Sequence, residues 1–265
     1  MKNPRIYFKI HPPIQTSRGQ TLVFVHGMAH GGWCWERFWV PWFNARGYHC
    51  VTLDLRGHGA SEGWEKLRIT SIKDFTNDVR QVLSQVEGLP ILIGHSMGGF
   101  IIQKMILSKI PMKAAVTIAS VPASGFGKGL LKLISYDQVR FIKGLITLST
   151  TPFSDSPSIV RKLCFSSEAP EDLVNSTFMA MQPESFRAFL EMVFLNLHKP
   201  VKSDIPCLFL AAGRDAVVDN EALKKTADGF GASFVLLQNL AHDMMLDVHW
   251  EDPCRVIHEW LNTLL

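Results

Sequence analysis

This 265-residue chain has little of several things that would point to particular roles. Its five cysteines, Cys34, Cys50, Cys164, Cys207 and Cys254, are odd in number, scattered and without C-x-x-C spacing. That argues against a disulfide framework or a thiolate metal cluster and for buried thiols in a reducing compartment. The formal net charge is only +3 and no dense basic run is present, which gives no ground for a nucleic-acid partner. Residues 1–9 lack the apolar run of a secretory signal, and no segment is long and apolar enough to span a bilayer, so a cytoplasmic location is expected. Neither full glycine fingerprint of nucleotide binding occurs. Gly125-Phe126-Gly127-Lys128-Gly129 comes nearest and reads as a hinge, and no cofactor or metal is implied. What remains is a 47% hydrophobic chain, long enough for one large α/β domain or a core with a small insertion, with small molecules as its partners.

The most informative stretch is Gly94-His95-Ser96-Met97-Gly98, directly after the apolar run Leu89-Pro90-Ile91-Leu92-Ile93. A G-x-S-x-G pattern arises by chance in roughly one chain in ten of this length, so the pattern alone carries little. Here a strand-like run precedes it, and apolar residues at helical spacing follow it up to Pro111. Strand, tight turn and helix are the setting that exposes a serine hydroxyl on a strained backbone, with glycines two residues away on either side to relieve crowding.

A serine hydroxyl needs a base, and the base needs a carboxylate to orient it and support its charge. In folds built on such a turn these partners follow in the order acid, then histidine, each on a loop after a strand. Residues 205–212 read as a buried strand followed by the turn Gly213-Arg214-Asp215, which makes Asp215 the candidate acid, with Asp219 as the alternative. Residues 232–237 read as another strand, and His242 in the loop leaving it is the candidate base. His249 and His258, downstream in what reads as the final helix, Asp252-Pro253 through Leu265, read as structural. Backbone donors for a developing oxyanion are expected at Met97, immediately after the serine, and at Met28, in the turn His26-Gly27-Met28-Ala29-His30-Gly31-Gly32 after an early strand. His26 and His30 have the i,i+4 spacing of a metal pair, but they lie in a glycine turn without a third ligand nearby.

Strand-like runs fall at residues 6–10, 22–25, 50–53, 91–93, 114–118, 207–211 and 234–237, with helical stretches between most of them. This alternation predicts a mainly parallel central sheet flanked by helices. It breaks between Ala119 and Ile205, so a helical insertion over 122–200 is expected to divide the core into 1–121 and 201–265. The clearest helix in the insertion carries Phe186, Phe189, Leu190, Val193, Phe194 and Leu197, with Pro183 at its first turn. Phe126, Phe141, Phe153, Phe165 and Phe178, with Met179, Met181 and Met192, make the insertion rich in large apolar side chains. Most of these are expected to pack on the core and a minority to line an apolar pocket. Lys128, Lys132, Arg140 and Lys143 read as a solvated face.

Together these segments resemble the α/β-hydrolase superfamily over essentially the whole chain. The resemblance rests on His26-Gly27, on Asp54-Leu55-Arg56-Gly57-His58-Gly59-Ala60-Ser61, on Gly94-His95-Ser96-Met97-Gly98-Gly99, on Gly213-Arg214-Asp215 and on His242. It implies an α/β-hydrolase fold with a helical cap, and a turn-forming rather than catalytic Asp54. The block from His26 to Trp35 is similar to the opening of the plant methylesterase and hydroxynitrile lyase group. The lyases of that group carry threonine where this chain has Gly27, and lysine where it has Asp243, so the resemblance implies an esterase; the apolar site and insertion, with no cationic cluster, favour esters with an apolar acyl or alcohol part. A slow-turnover ligand receptor of the same fold, a thioesterase and a lyase are the alternatives.

Overall fold

The computed structural model describes residues 4–127, 130, 131, 134, 137–195 and 198–264, without the side chains of Phe141 and Leu195. The expectations for Lys128, Gly129, Lys132 and Leu197 therefore lie outside the described residues. Seven strands form one sheet: β1 (Phe8–His11), β2 (Thr21–Val25), β3 (His49–Leu53), β4 (Ile91–His95), β5 (Ala114–Ile118), β6 (Cys207–Ala212) and β7 (Ser233–Leu237). Their order is β1-β3-β2-β4-β5-β6-β7, and every neighbouring pair is parallel except β1 with β3. The fold is that of an α/β-hydrolase.

The central strands are uninterrupted apolar runs because both faces of the sheet are covered. Residues of each strand still sort by the period of two. Leu22 and Phe24 of β2, Ile91 and Ile93 of β4, and Leu208 and Leu210 of β6 join one core. Val23, Val25, Leu92 and Phe209 join the other. The first core is built with α1 (Trp33–Glu36), α2 (Trp39–Asn44) and α10 (Glu251–Asn262) through Trp35, Trp39, Phe43, Ile257 and Leu261. The second is built with α3 (Ile72–Leu83), α4 (Met97–Leu107) and α9 (Asn220–Phe230) through Phe75, Val79, Phe100, Ile101, Leu223 and Phe230. Parallel register places the carboxyl ends of β2, β4, β5 and β6 at one edge, with Val25 beside Gly94, Gly94 beside Thr117 and Ile118 beside Leu210. Loops leaving that edge are where open α/β sheets bind ligands.

Between β5 and β6 lie α5 (Gln138–Thr147), a 3-10 turn at Thr151–Phe153, α6 (Pro157–Cys164), α7 (Glu171–Ala180) and α8 (Phe186–Leu190). The last runs into a π turn over Glu191–Leu195. Val160, Leu163, Leu173 and Val174 of α6 and α7 join the first core, whereas Phe186, Phe189, Met192 and Val193 join the second. Pro183 is not in the first turn of α8. Ser185 is the N-cap instead, its hydroxyl accepting from the Ala188 N–H, so the helix cannot begin before Phe186. Met179 is 79% exposed rather than packed, as are Val139 and Ile146 at 76% and 78%. The first strand begins at Phe8 rather than Ile6, and His249 precedes α10 rather than lying within the final helix. Among the described residues no helix is long and apolar enough to cross a membrane.

Candidate active site

Ser96 sits between β4 and α4 with φ +51° and ψ −113°, a conformation that costs a non-glycine residue about 1–3 kcal/mol. The surroundings hold it there. Its N–H donates to the Ile118 carbonyl at 2.9 Å and its carbonyl accepts from the Phe100 N–H at 3.1 Å. The flanking glycines are required by close approach: a Cβ on Gly94 would lie 2.6 Å from the Gly98 carbonyl oxygen, and one on Gly98 would lie 2.7 Å from the His26 carbonyl. Met97 opens α4, where backbone N–H groups have no acceptor within the helix.

His242, in the loop after β7, faces the serine. The Ser96 Oγ–H donates to His242 Nε2 at 3.1 Å, and His242 Nδ1–H donates to the Asp215 carboxylate at 2.9 and 3.1 Å. Burial pushes the imidazole down, but the Asp215 charge and hydrogen bond more than offset this and hold it above 6.5. Asp215 Oδ1 also accepts from the Val217 and Val218 N–H groups at 2.7 and 2.8 Å, which fixes the acid. Asp219 caps α9 by accepting from the Ala222 N–H at 2.9 Å. It is Asp215, not Asp219, that touches His242.

The turn after β2 lies opposite. Ala29 takes a positive φ of 62°, and its N–H donates to Glu184 Oε2 at 3.2 Å. The next N–H, of His30, donates to the Gly27 carbonyl at 3.4 Å. Met28 lines the cleft with Ser96. Asp54 holds the turn from below, accepting from the N–H groups of Gly32 at 2.8 Å and Ala60 at 2.9 Å, which is a structural part. His26 accepts from the Leu55 N–H at 3.0 Å and donates to the Gly27 carbonyl at 2.8 Å, so it does not share a ligand with His30.

A side chain at Gly27 has no room, since its Cβ would fall 2.7 Å from His95 Nδ1 and 3.1 Å from Ser96 Cβ. Gly27→Thr is expected to displace the turn after β2 and, if that turn supplies the expected oxyanion donor, to lower kcat/KM for a short ester on the order of 10² or more. Steady-state kinetics on a p-nitrophenyl ester would read this, and an unchanged kcat/KM would contradict it.

Above the serine is a cleft. Its walls are mostly apolar, with Phe126, Phe153, Leu163, Met181, Phe189 and Val217 among them. Of the cap aromatics and methionines named from the sequence, Phe126, Phe153 and Met181 reach the cleft, while Phe165 and Met192 are buried in packing. Glu184 also borders it. That carboxylate, however, accepts from the N–H groups of Ala29 and Ser185 and from His58 Nε2.

Three polar residues that the sequence does not bring together, His30, His95 and Asp243, line the cleft with Ser96. Ligand atoms of His95, His242 and Asp243 lie within 4.8 Å of one another, close enough for a metal ion. Both His242 nitrogens and His95 Nε2 are already engaged in hydrogen bonds, which leaves that group poorly suited to one. The sequence signal for Asp243 standing at the site is its place directly after the candidate base.

This sheet order, with a serine at the elbow after β4 and acid and histidine after β6 and β7, defines the chain as an α/β-hydrolase. It belongs to the family described as serine aminopeptidase, S33, whose model matches residues 16–249. Over 236 residues it is 24% identical to the probable esterase PIR7A of Oryza sativa subsp. indica, a match covering 79% of this chain and 84% of that one. Among solved structures, the esterase EaEST from Exiguobacterium antarcticum superposes with a TM-score of 0.72 at 17% identity, covering 98% of this chain and 96% of that one. The methylesterase MES16 from Arabidopsis gives 0.65 at 18% identity over 91% and 98%. At these identities the two structures share the fold.

Proposed function

We propose that Ser96, His242 and Asp215 form the catalytic triad of this carboxylic ester hydrolase, that the backbone N–H groups of Met28 and Met97 form its oxyanion hole, and that its substrates carry an apolar acyl or alcohol part. The observation that carries this reading is the continuous hydrogen-bonded line from Ser96 Oγ through His242 to Asp215 beneath an apolar cleft. His242 Nδ1 faces a carboxylate and so bears the proton, leaving Nε2 to take the serine proton as Oγ attacks the ester carbonyl. The resulting oxyanion is held by the two N–H groups. His242 then protonates the leaving alcohol, and a water activated by the same nitrogen releases the acid from Ser96. No cofactor enters these steps.

An ester is favoured over a peptide despite the family's description. An aminopeptidase needs a free carboxylate for the substrate ammonium, and both oxygens of Glu184 are occupied by the protein's own donors. The relatives bearing esterase names support the same side. A cytoplasmic location fits five buried, unpaired thiols.

The segment 122–200 acts as a cap that sets chain-length preference, with the triad and both oxyanion donors contributed by 1–121 and 201–265. Phe126, Phe153 and Phe189 of this segment border the cleft, which supports that division. Replacing about Ser124 to Lys199 with a glycine-serine linker is expected to depress hydrolysis of long acyl esters far more than of acetate esters, because tail contacts can be spent on positioning. Hydrolysis rates across a graded series of acyl esters, measured on protein that unfolds cooperatively, check this. Equal loss on both ends of the series would mean that the cap carries catalytic groups.

A further inference from the structure

The geometry points to a second buried assembly beside the triad, in which a positively charged His30 and the Asp243 carboxylate, with neutral His95, act as positioning residues that lock the oxyanion turn, the elbow and the base loop in register. The inference rests on the triad reading given above.

Tautomers follow from the partners. His30 Nδ1 lies 2.7 Å from the Met28 carbonyl and His30 Nε2 lies 3.1 Å from Asp243 Oδ2. A carbonyl and a carboxylate only accept, so both ring nitrogens of His30 must carry protons to satisfy them, and the ring is an imidazolium. It is stacked on Trp33 at 5.3 Å, a face that favours a cation. Asp243 is fully buried, and an unpaired carboxylate there would be strongly unfavourable. His95 has the opposite arrangement. Its Nε2–H donates to the His242 carbonyl at 3.0 Å and leans toward Asp243 Oδ1 at 3.6 Å, while Nδ1 has no partner, so one proton suffices and the ring is neutral.

Electrostatics agree with this assignment. Burial pushes His30 down, but the Asp243 charge and the hydrogen bonds to Asp243 and the Met28 carbonyl raise it above 6.5 overall. Burial alone would raise Asp243, yet His30 chiefly, with His95 and His242, holds it well below the ordinary carboxylate range. Burial and the neighbouring His242 bring His95 down to about 3. His26, Cys34 and Cys164 are the other titratable groups facing the pair.

The connectivity gives the assembly its role. His30 grips the carbonyl of Met28, an oxyanion residue. Asp243 follows His242, the base, and its N–H donates to the Cys164 carbonyl at 2.9 Å. His95 precedes Ser96 and holds the His242 carbonyl. Each of the three catalytic loops is thus tied to another by a group other than the triad itself. A lysine at position 243 would face the His30 cation instead of pairing with it.

The sign of the pH dependence follows. The assembly is intact below the raised His30 pKa and is lost as pH rises through it, giving kcat/KM an alkaline limb. The acid limb belongs to His242, which Asp243 also raises.

The test combines wild-type spectroscopy with a double-mutant cycle. Nitrogen-15 histidine spectra of the wild-type protein at neutral to mildly alkaline pH should contain a ring with both nitrogens protonated that is assigned to His30 by its loss in His30→Gln, distinct from that of His58, whose nitrogens face the Arg56 carbonyl and the Glu184 carboxylate. Asp243→Asn and His30→Gln should each lower kcat on the order of 10², as expected for misplaced groups, with KM little changed. Asp243→Asn should also move both limbs to lower pH, and His30→Gln/Asp243→Asn should lose less than the product of the single losses. A neutral His30 in the wild-type spectra would overturn the proposal even where a variant fails to fold. Folded single variants with wild-type kcat or unmoved limbs would overturn it too. Fluorophosphonate labelling of Ser96 separates the two readings: continued labelling at Ser96 with unaltered kinetics in the variants sinks this assembly and spares the triad.

Discussion

Ser96→Ala is expected to lower kcat for ester hydrolysis on the order of 10⁶, leaving only what binding and the oxyanion donors contribute. Alanine adds no atom to the elbow, and the two flanking close approaches involve glycines rather than the serine side chain, so the thermal unfolding transition should remain cooperative. The serine hydroxyl is the only part removed. Progress curves with a chromogenic short-chain ester, run beside a calorimetric scan, separate lost chemistry from lost fold. A variant that keeps its unfolding transition and most of its turnover would transfer the nucleophile's role elsewhere.

The second large effect concerns the acid. Asp215→Asn is expected to cost on the order of 10⁴ in kcat, because an amide at this site lets His242 settle in the wrong tautomer and leaves its cation without a counter-charge. Asp219→Asn should be mild in activity, since the Asp219 side chain caps α9 and asparagine is itself a good N-cap. The comparison is informative because both substitutions are nearly isosteric and lie four residues apart. A larger loss at Asp219 than at Asp215 would reverse the assignment.

Much of this was legible along the chain, for reasons that are physical. β4, β5 and β6 are covered on both faces, which forces uninterrupted apolar runs that stand out against the turns around them. The elbow was legible because Gly94 and Gly98 answer close backbone approaches that no other residue permits. The segment between β5 and β6 was read less well. Ser185, rather than Pro183, starts α8 through a side-chain cap, and Met179 faces solvent because the surface of this segment is only partly covered by the core. The partnership of His30 with Asp243 spans 213 residues and depends on how β2 and β7 bring their loops to one edge. No local pattern carries that information. The apolar composition of the insertion fixed the character of the cleft, but not which of its side chains would face inward.

The central claim is that Ser96 is the nucleophile and that His242 activates it. The most direct measurement is mass-spectrometric mapping of the protein after brief treatment with a fluorophosphonate. The account predicts a single covalent adduct on the peptide containing Ser96, forming quickly in the wild type, not at all in Ser96→Ala, and far more slowly in His242→Ala. An adduct on another serine, or labelling of Ser96 at the wild-type rate when His242 is replaced, would contradict it.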